Sequence, residues 1–220
     1  MTEIQEIKNI LDEAVSIIGP EREGNLKAPL YEFLRRYGPM PCTDVVIVPE
    51  DERLSVILAQ RDNKTVAPGA WWMFGGRYGK KMDIETIAAQ KTNKEIGLEV
   101  DVSMEELIGF GRTYFPPDTK EEKMRDYSIA TPNLCFAKRV PITEFVQQKL
   151  QPADGNIKWD RFNNLDENWH PYVIGAVASA WDFFYGDDWA KELRLEDKVK
   201  KVLNEDRYSF TPYRFKKLKV

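Results

Sequence analysis

The feature that most constrains this chain is a β-rich segment that leads into a pair of glycines and then into a helix. Residues 70–74 read Ala-Trp-Trp-Met-Phe, and Gly75 and Gly76 follow directly. Apolar residues at helical spacing then run from about Asp83 to Ile96, and Gly97 is typical of the residue that ends a helix. We therefore predict that strand, glycine loop and helix form the centre of the molecule.

Short runs of β-branched and apolar residues flank this unit. Two of them precede it, at residues 45–48 and 54–59, and the turn residues 49–52 between them indicate a hairpin. Two more strands are expected at residues 107–114 and 128–136. Together with the helices, these strands predict an α+β fold in which a mixed β-sheet lies between helices.

The two ends of the chain carry helical patterns of their own. Residues 1–40 contain two such patterns, and residues 173–220 contain two more, followed by a basic and aromatic tail. We expect a core at residues 41–172 that is flanked by these extensions, which either pack on the core or form a homodimer surface. The tail is interpreted as an exposed terminus, and the alternative is a segment that stacks on single-stranded nucleic acid or on the base of a nucleotide.

Composition excludes several classes of protein. The 220 residues carry 32 Lys and Arg against 36 Asp and Glu, which gives a net charge of −4. A mildly acidic chain without a concentrated basic face is not suited to duplex nucleic acid. No apolar run reaches the roughly 18 residues that predict a membrane span. With two cysteines, Cys42 and Cys135, and no signal-peptide pattern at the start, a cytoplasmic location is expected.

The predicted helix places two charged residues in its apolar arc. At about 100° per residue, Lys91 and Glu95 fall on the same side as Ile84, Ile87 and Ala88. A carboxylate there must be paired, hydrogen-bonded or bound to a cation, because an unpaired buried charge is costly. Their spacing lets Lys91 and Glu95 form an ion pair with each other. The alternative is a cation or phosphate site at the mouth of the glycine loop.

The segment around the glycines resembles the Nudix hydrolases. Their box, G-x5-E-x7-R-E-U-x-E-E-x-G-U, lies on a loop, helix and loop that follow a strand. With its second glycine on Gly97, its first falls on Gly76, and its three metal-binding glutamates fall on Lys91, Lys94 and Glu95. Because only Glu95 keeps a carboxylate, the resemblance implies that hydrolysis with several magnesium ions is impaired or absent.

One branch of that family, the GDP-mannose mannosyl hydrolases, is more similar because its own box is altered. The matching segments are residues 90–97, Ala59-Gln60-Arg61, Gly69-Ala70-Trp71-Trp72, Gly75-Gly76-Arg77, Asp126-Tyr127 and Asn168-Trp169-His170. They lie between about Asp44 and Tyr172. The resemblance implies that water attacks the sugar carbon of a nucleoside diphosphate sugar, which releases the sugar and the nucleoside diphosphate.

The resemblance also assigns roles to individual residues by their position. Glu95 and the carbonyl of Gly75 would hold a single magnesium ion. Arg61 and Arg77 would grip the diphosphate, since guanidinium groups suit phosphate oxygens. Asp126 would bind sugar hydroxyls.

Two departures from that branch change the expected chemistry. The loop that carries the branch's histidine base and glutamine ligand has neither here. Asp154 in this loop could activate water, as a carboxylate does in inverting sugar hydrolases, or it is a solvated acid in the turn beside Gly155. Lys91 and Lys94 either compete with magnesium for Glu95 or replace its charge against a diphosphate. We therefore expect a nucleotide-sugar ligand bound with reduced dependence on metal.

Two other functions remain as alternatives. The first is a catalytically inactive module that binds a nucleotide or nucleotide sugar, in which Lys91 and Glu95 form an ion pair. The second is ordinary pyrophosphate hydrolysis with ligands recruited from Asp83 or Glu85, although helical spacing turns both away from Glu95.

Overall fold

The structure is a computed structural model that describes nine stretches of the chain. They are residues 41–61, 67–77, 83–97, 99–115, 129–141, 159–186, 188–195, 197–205 and 210–212. The predicted N-terminal helices and the candidate residues Asp126 and Asp154 lie outside the described residues.

The described strands form one mixed β-sheet. The strands are β1 (Cys42–Pro49), β2 (Val56–Gln60), β3 (Trp71–Trp72), β4 (Phe74–Arg77), β5 (Leu107–Phe115), β6 (Ile129–Val140), β7 (Trp159–Phe162) and β8 (Phe210–Pro212). Their order is β3-β2-β1-β6-β5-β8, with β4 also paired to β1 and β7 also paired to β2. β1 and β6 run parallel, whereas the other pairs are antiparallel. The predicted hairpin is the pair β1 and β2.

Helices α1 (Ile84–Ile96) and α2 (Pro171–Tyr185) have the ends that their sequences predict. The side chain of Asp83 accepts a hydrogen bond from the Thr86 N–H at 2.7 Å, and Gly97 ends α1 with a φ of 69°. His170 caps α2 through Nδ1, which accepts from the Tyr172 N–H at 3.1 Å. The position of this histidine directly before Pro171 is typical of the residue that caps a helix.

The last predicted helix is divided into two, α3 (Trp189–Glu192) and α4 (Asp197–Glu205). Arg194 lies between them with a φ of 47°, which is left-handed backbone that cannot continue an α-helix. A further short 3-10 turn covers Met104–Glu106. Within the described residues, no helix has both the length and the apolar character that crossing a membrane requires.

The sheet has an apolar core on each face, because the side chains of β1 alternate. Val46 and Val48 pack on the side of α2, whereas Val45 and Ile47 pack on the side of α1. The α2 side includes Trp181, which is fully buried and donates from Nε1 to the Ser55 carbonyl at 3.3 Å. The predicted α+β fold, a mixed sheet between helices, is confirmed.

The tail joins this fold at one point. β8 pairs with β5 and forms the edge of the sheet, and Phe210 is 5% exposed. The interpretation of the tail as exposed is therefore wrong at Phe210, which packs in the core on the α2 face. Residues 213–220 lie outside the described part of the chain.

The tightest backbone contact near the glycine pair is between β4 and β1. Gly75 lies opposite Asp44 in the β-ladder, and a Cβ atom on Gly75 would lie 2.0 Å from the carbonyl oxygen of Thr43. Its φ of 155° is also unusual for residues with a side chain. A Cβ on Gly76 would instead meet the flexible side chain of Lys91, with 3.1 Å to Cδ.

We predict that Gly75→Ala destabilises the fold much more than Gly76→Ala. The backbone clash and unfavourable φ should cost Gly75→Ala about 2–4 kcal/mol of unfolding free energy. Gly76→Ala, in which only a lysine stem has to move, should cost less than about 1 kcal/mol. Urea denaturation of the two variants measures the difference, and equal losses would contradict the proposed packing.

Candidate functional site

The glycine turn brings α1 to the central strand of the sheet. The backbone N–H of Gly75 donates a hydrogen bond to Oε2 of Glu95 at 3.1 Å. Because Gly75 lies opposite Asp44 in the ladder, this bond places the α1 carboxylate beside the start of β1. Two acidic residues from elements far apart in sequence therefore lie near one turn, Glu95 on the α1 side of the sheet and the Asp44 side chain on the α2 side, where it bonds to Tyr172.

Glu95 is largely removed from water. Burial raises its pKa to about 7, and the negative charge of Asp44 acts in the same direction. The Gly75 hydrogen bond and the positive charges of Arg61 and Lys91 lower the pKa again. Glu95 thus accepts a hydrogen bond from the backbone N–H of Gly75. Lys91 acts on Glu95 through its positive charge.

Asp44 is a buried acid that the sequence analysis did not select. It is 5% exposed, and its Oδ2 accepts a hydrogen bond from the Tyr172 hydroxyl at 2.8 Å. Burial raises its pKa to about 6, whereas Tyr172, Arg61 and Trp72 lower it. An available signal was its spacing: Asp44, Val46 and Val48 alternate along one face of a strand, so an acid stands where the core is expected.

Arg61 supplies the positive charge at this site. It directly follows β2, and backbone hydrogen bonds of 2.9 Å tie its N–H to Ala70 and its carbonyl to Gly69. Its guanidinium carbon lies 5.2 Å from the ring centroid of Trp72. Burial lowers the pKa of Arg61, and the neighbouring charges of Asp44 and Glu95 raise it. An arginine held in this way is preorganised for an anionic ligand.

The other candidate residues are divided between the site and the surface. Lys91 packs its stem against Gly76. Arg77 ends β4 and Lys94 lies in the last turn of α1, and both residues are exposed. The structure thus brings Glu95, Gly75 and Arg61 together and adds Asp44.

The described residues at the turn offer few oxygen donors to a metal ion such as magnesium. No group of three His, Cys, Asp or Glu side chains suited to a metal occurs among the described residues. Magnesium commonly binds through one or two carboxylates, with water and substrate phosphates as its other ligands. At this turn Glu95 offers one such carboxylate, and its Oε2 already accepts the Gly75 hydrogen bond.

Comparisons with known proteins give similar structures only. No family model and no curated protein matches the sequence. A MutT Nudix hydrolase from Burkholderia pseudomallei is 12% identical with a TM-score of 0.41, over 63% of this chain and 95% of that one. A MutT protein from Methanosarcina mazei is 15% identical with a TM-score of 0.37, over 56% and 75% of the two chains. An Ap4A hydrolase from C. elegans is 13% identical with a TM-score of 0.35, over 56% and 78%.

The raised pKa of Asp44 predicts a dependence of stability on pH. Its ordinary pKa is 3.8 and its folded pKa is about 6, so the folded state keeps a proton that the unfolded state loses between these values. Unfolding free energy should therefore fall as pH rises from about 4 to 6 and then level off for this group.

Asp44→Asn should remove the decrease in unfolding free energy that comes from Asp44, because the amide does not ionise. The free energy of unfolding of the variant relative to the wild type should rise by on the order of 2 kcal/mol between pH 3.5 and pH 7. Chemical denaturation at several pH values measures this. Parallel curves for the two proteins would show that Asp44 does not titrate differently on folding.

Proposed function

We propose that this chain is a Nudix-like protein that binds a nucleoside diphosphate sugar at the glycine turn and hydrolyses it to the sugar and the nucleoside diphosphate. The observation that carries the proposal is the placement of Arg61. Its guanidinium is stacked on Trp72 and coupled to the carboxylates of Glu95 and Asp44 beside the Gly75 turn. A partly buried, preorganised arginine of this kind suits a diphosphate.

The proposed roles of the side chains at the glycine turn follow from their charges. Arg61 binds the diphosphate, and the exposed Arg77 at the end of β4 contacts the same group from the solvent side. Glu95, with the carbonyl of Gly75, would hold one magnesium ion whose other ligands are phosphate oxygens and water. A bound magnesium ion would make the nucleoside diphosphate a better leaving group. Lys91 and Lys94 supply further positive charge on α1, which reduces the need for metal.

The groups that contact the sugar and the attacking water are proposed from the sequence, because both lie outside the described residues. Asp126 would bind sugar hydroxyls, as the resemblance implies. Asp154 would activate water as the general base, as a carboxylate does in inverting sugar hydrolases.

A second function, binding without catalysis, is favoured by a different observation. Glu95 already accepts a backbone hydrogen bond, and Arg61 and Lys91 act on it as positive charges. These groups partly replace the charge of a metal ion. In this alternative the same site recognises a nucleotide or nucleotide sugar and leaves it intact.

The binding role of Arg61 is tested by Arg61→Ala with GDP as the probe. Loss of charged hydrogen bonds to phosphate should weaken GDP binding about 10- to 100-fold in calorimetric titration. Arg139→Ala is the matched control, because Arg139 also stacks on an aromatic ring, 5.4 Å from the centroid of Tyr185, but pairs with Val48 further along β1. Equal affinity of wild type and Arg61→Ala would overturn the proposed site.

The hydrolytic role is tested by Glu95→Gln with GDP-mannose. The proposal expects a loss of turnover of at least about 100-fold and a weaker response to magnesium, because the metal-binding carboxylate is gone. Product analysis by chromatography measures turnover, and titration of magnesium measures the response. Binding of the nucleotide sugar by the wild type without any product would instead establish the second function.

A further inference from the structure

Tyr172 is a buried polar residue with no role in the function proposed above. It is the second residue of α2, is fully buried, and donates its hydroxyl proton to Oδ2 of Asp44 at 2.8 Å. The sequence resemblance ended at this residue without giving it a function. Its hydrogen bond fixes one oxygen of Asp44, whose negative charge acts on Arg61.

The ring of Tyr172 is held from two sides. Trp72 stacks on it with 5.7 Å between ring centroids and 30° between planes, and Phe210 lies 5.7 Å away at 54°. Phe210 occupies space left by two glycines: a Cβ on Gly109 would lie 2.4 Å from its Cζ, and one on Gly175 would lie 2.7 Å from its Cβ. The hydroxyl of Tyr172 therefore has a fixed position relative to β1.

Tyr172 contacts two of the groups that act on the Arg61 guanidinium. One is the ring of Trp72, which lies under the guanidinium at 5.2 Å. The other is the carboxylate of Asp44, whose charge acts on Arg61. A change at the Tyr172 hydroxyl would free Asp44 to rotate while leaving the packing of the ring almost unchanged.

We propose that Tyr172 is a positioning residue for Arg61: through Asp44 it fixes the guanidinium in the orientation that receives a diphosphate. This inference rests on the proposed function, because it takes Arg61 as the phosphate-binding group. It adds a determinant on α2, 128 residues from Asp44 in sequence, to Glu95, Gly75, Arg61 and Asp44, which come from the first half of the chain.

The test is a double-mutant cycle between Tyr172→Phe and Arg61→Ala, with GDP affinity measured by calorimetry. Tyr172→Phe alone should weaken GDP binding about five- to tenfold, less than direct loss of a charged hydrogen bond. In the Arg61→Ala background the same change should have no further effect, because the residue it positions is absent. Tyr185→Phe is the matched control on the same helix, since the buried Tyr185 hydroxyl has no hydrogen-bond partner in the described structure.

Each outcome decides one claim. Wild-type affinity for Tyr172→Phe, with a loss for Arg61→Ala, overturns the positioning role and leaves the proposed function intact. An equal loss from Tyr172→Phe in both backgrounds shows a general structural effect and also overturns it. No loss from Arg61→Ala overturns the proposed function, and the positioning role falls with it.

A second variant covers the case in which Tyr172→Phe does not fold, as judged by circular dichroism. Asp44→Asn keeps an oxygen acceptor for the Tyr172 hydroxyl but removes the charge that faces Arg61. If Asp44→Asn weakens GDP binding in the wild type but has no further effect in the Arg61→Ala background, the connection from Tyr172 through Asp44 to Arg61 is supported. A loss that persists in that background overturns it.

Discussion

The candidate site depends on how closely the backbone of Gly75 approaches the backbone of Thr43. A side chain at Gly75 would meet the Thr43 carbonyl at 2.0 Å, so β4 can lie against β1 in this way only with glycine at this position. The same approach turns the Gly75 N–H toward Glu95, and it sets Asp44 opposite Gly75 in the ladder. One backbone contact thus fixes two acidic groups relative to each other.

Charge balance then explains why these groups tolerate burial. Burial raises the pKa of both carboxylates, and the negative charge of Asp44 raises that of Glu95 further. Arg61 faces both acids and offsets part of this cost, while Tyr172 satisfies one oxygen of Asp44 by a hydrogen bond. An anionic ligand bound to Arg61 would compete with the acids for its charge. In the proposed function, a cation held by Glu95 would restore the balance, which is a physical reason to expect coupling between metal and diphosphate.

Local patterns in the sequence predicted the elements but only part of the site. Helix α1 followed from its apolar spacing and from Asp83 and Gly97 at its ends, and the alternation of β1 followed from its β-branched run. Glu95 was found because a carboxylate in an apolar arc needs a partner. Arg61 and Gly75 came from the resemblance to a known family, because nothing in their local spacing reveals what they contact.

The missed features depend on contacts between distant segments. The bond between Asp44 and Tyr172 requires the placement of α2 against β1, which no local periodicity contains. β8 has three residues and lies in a stretch whose basic and aromatic composition is typical of a terminus, so its pairing with β5 had no sequence signal. The role of Gly109 and Gly175 could not be predicted from the sequence either, because these glycines act by leaving space for Phe210.

The most direct test of the central claim is product analysis of the full-length wild-type protein incubated with GDP-mannose and a small panel of nucleotide sugars, with and without magnesium. The account predicts free sugar and nucleoside diphosphate, formed faster with magnesium but also detectable without it. Sugar phosphate with nucleoside monophosphate would show attack at phosphorus instead and would contradict the proposed reaction. If the protein neither binds nor converts any nucleotide sugar of the panel, the assignment of this site to nucleotide sugars is contradicted.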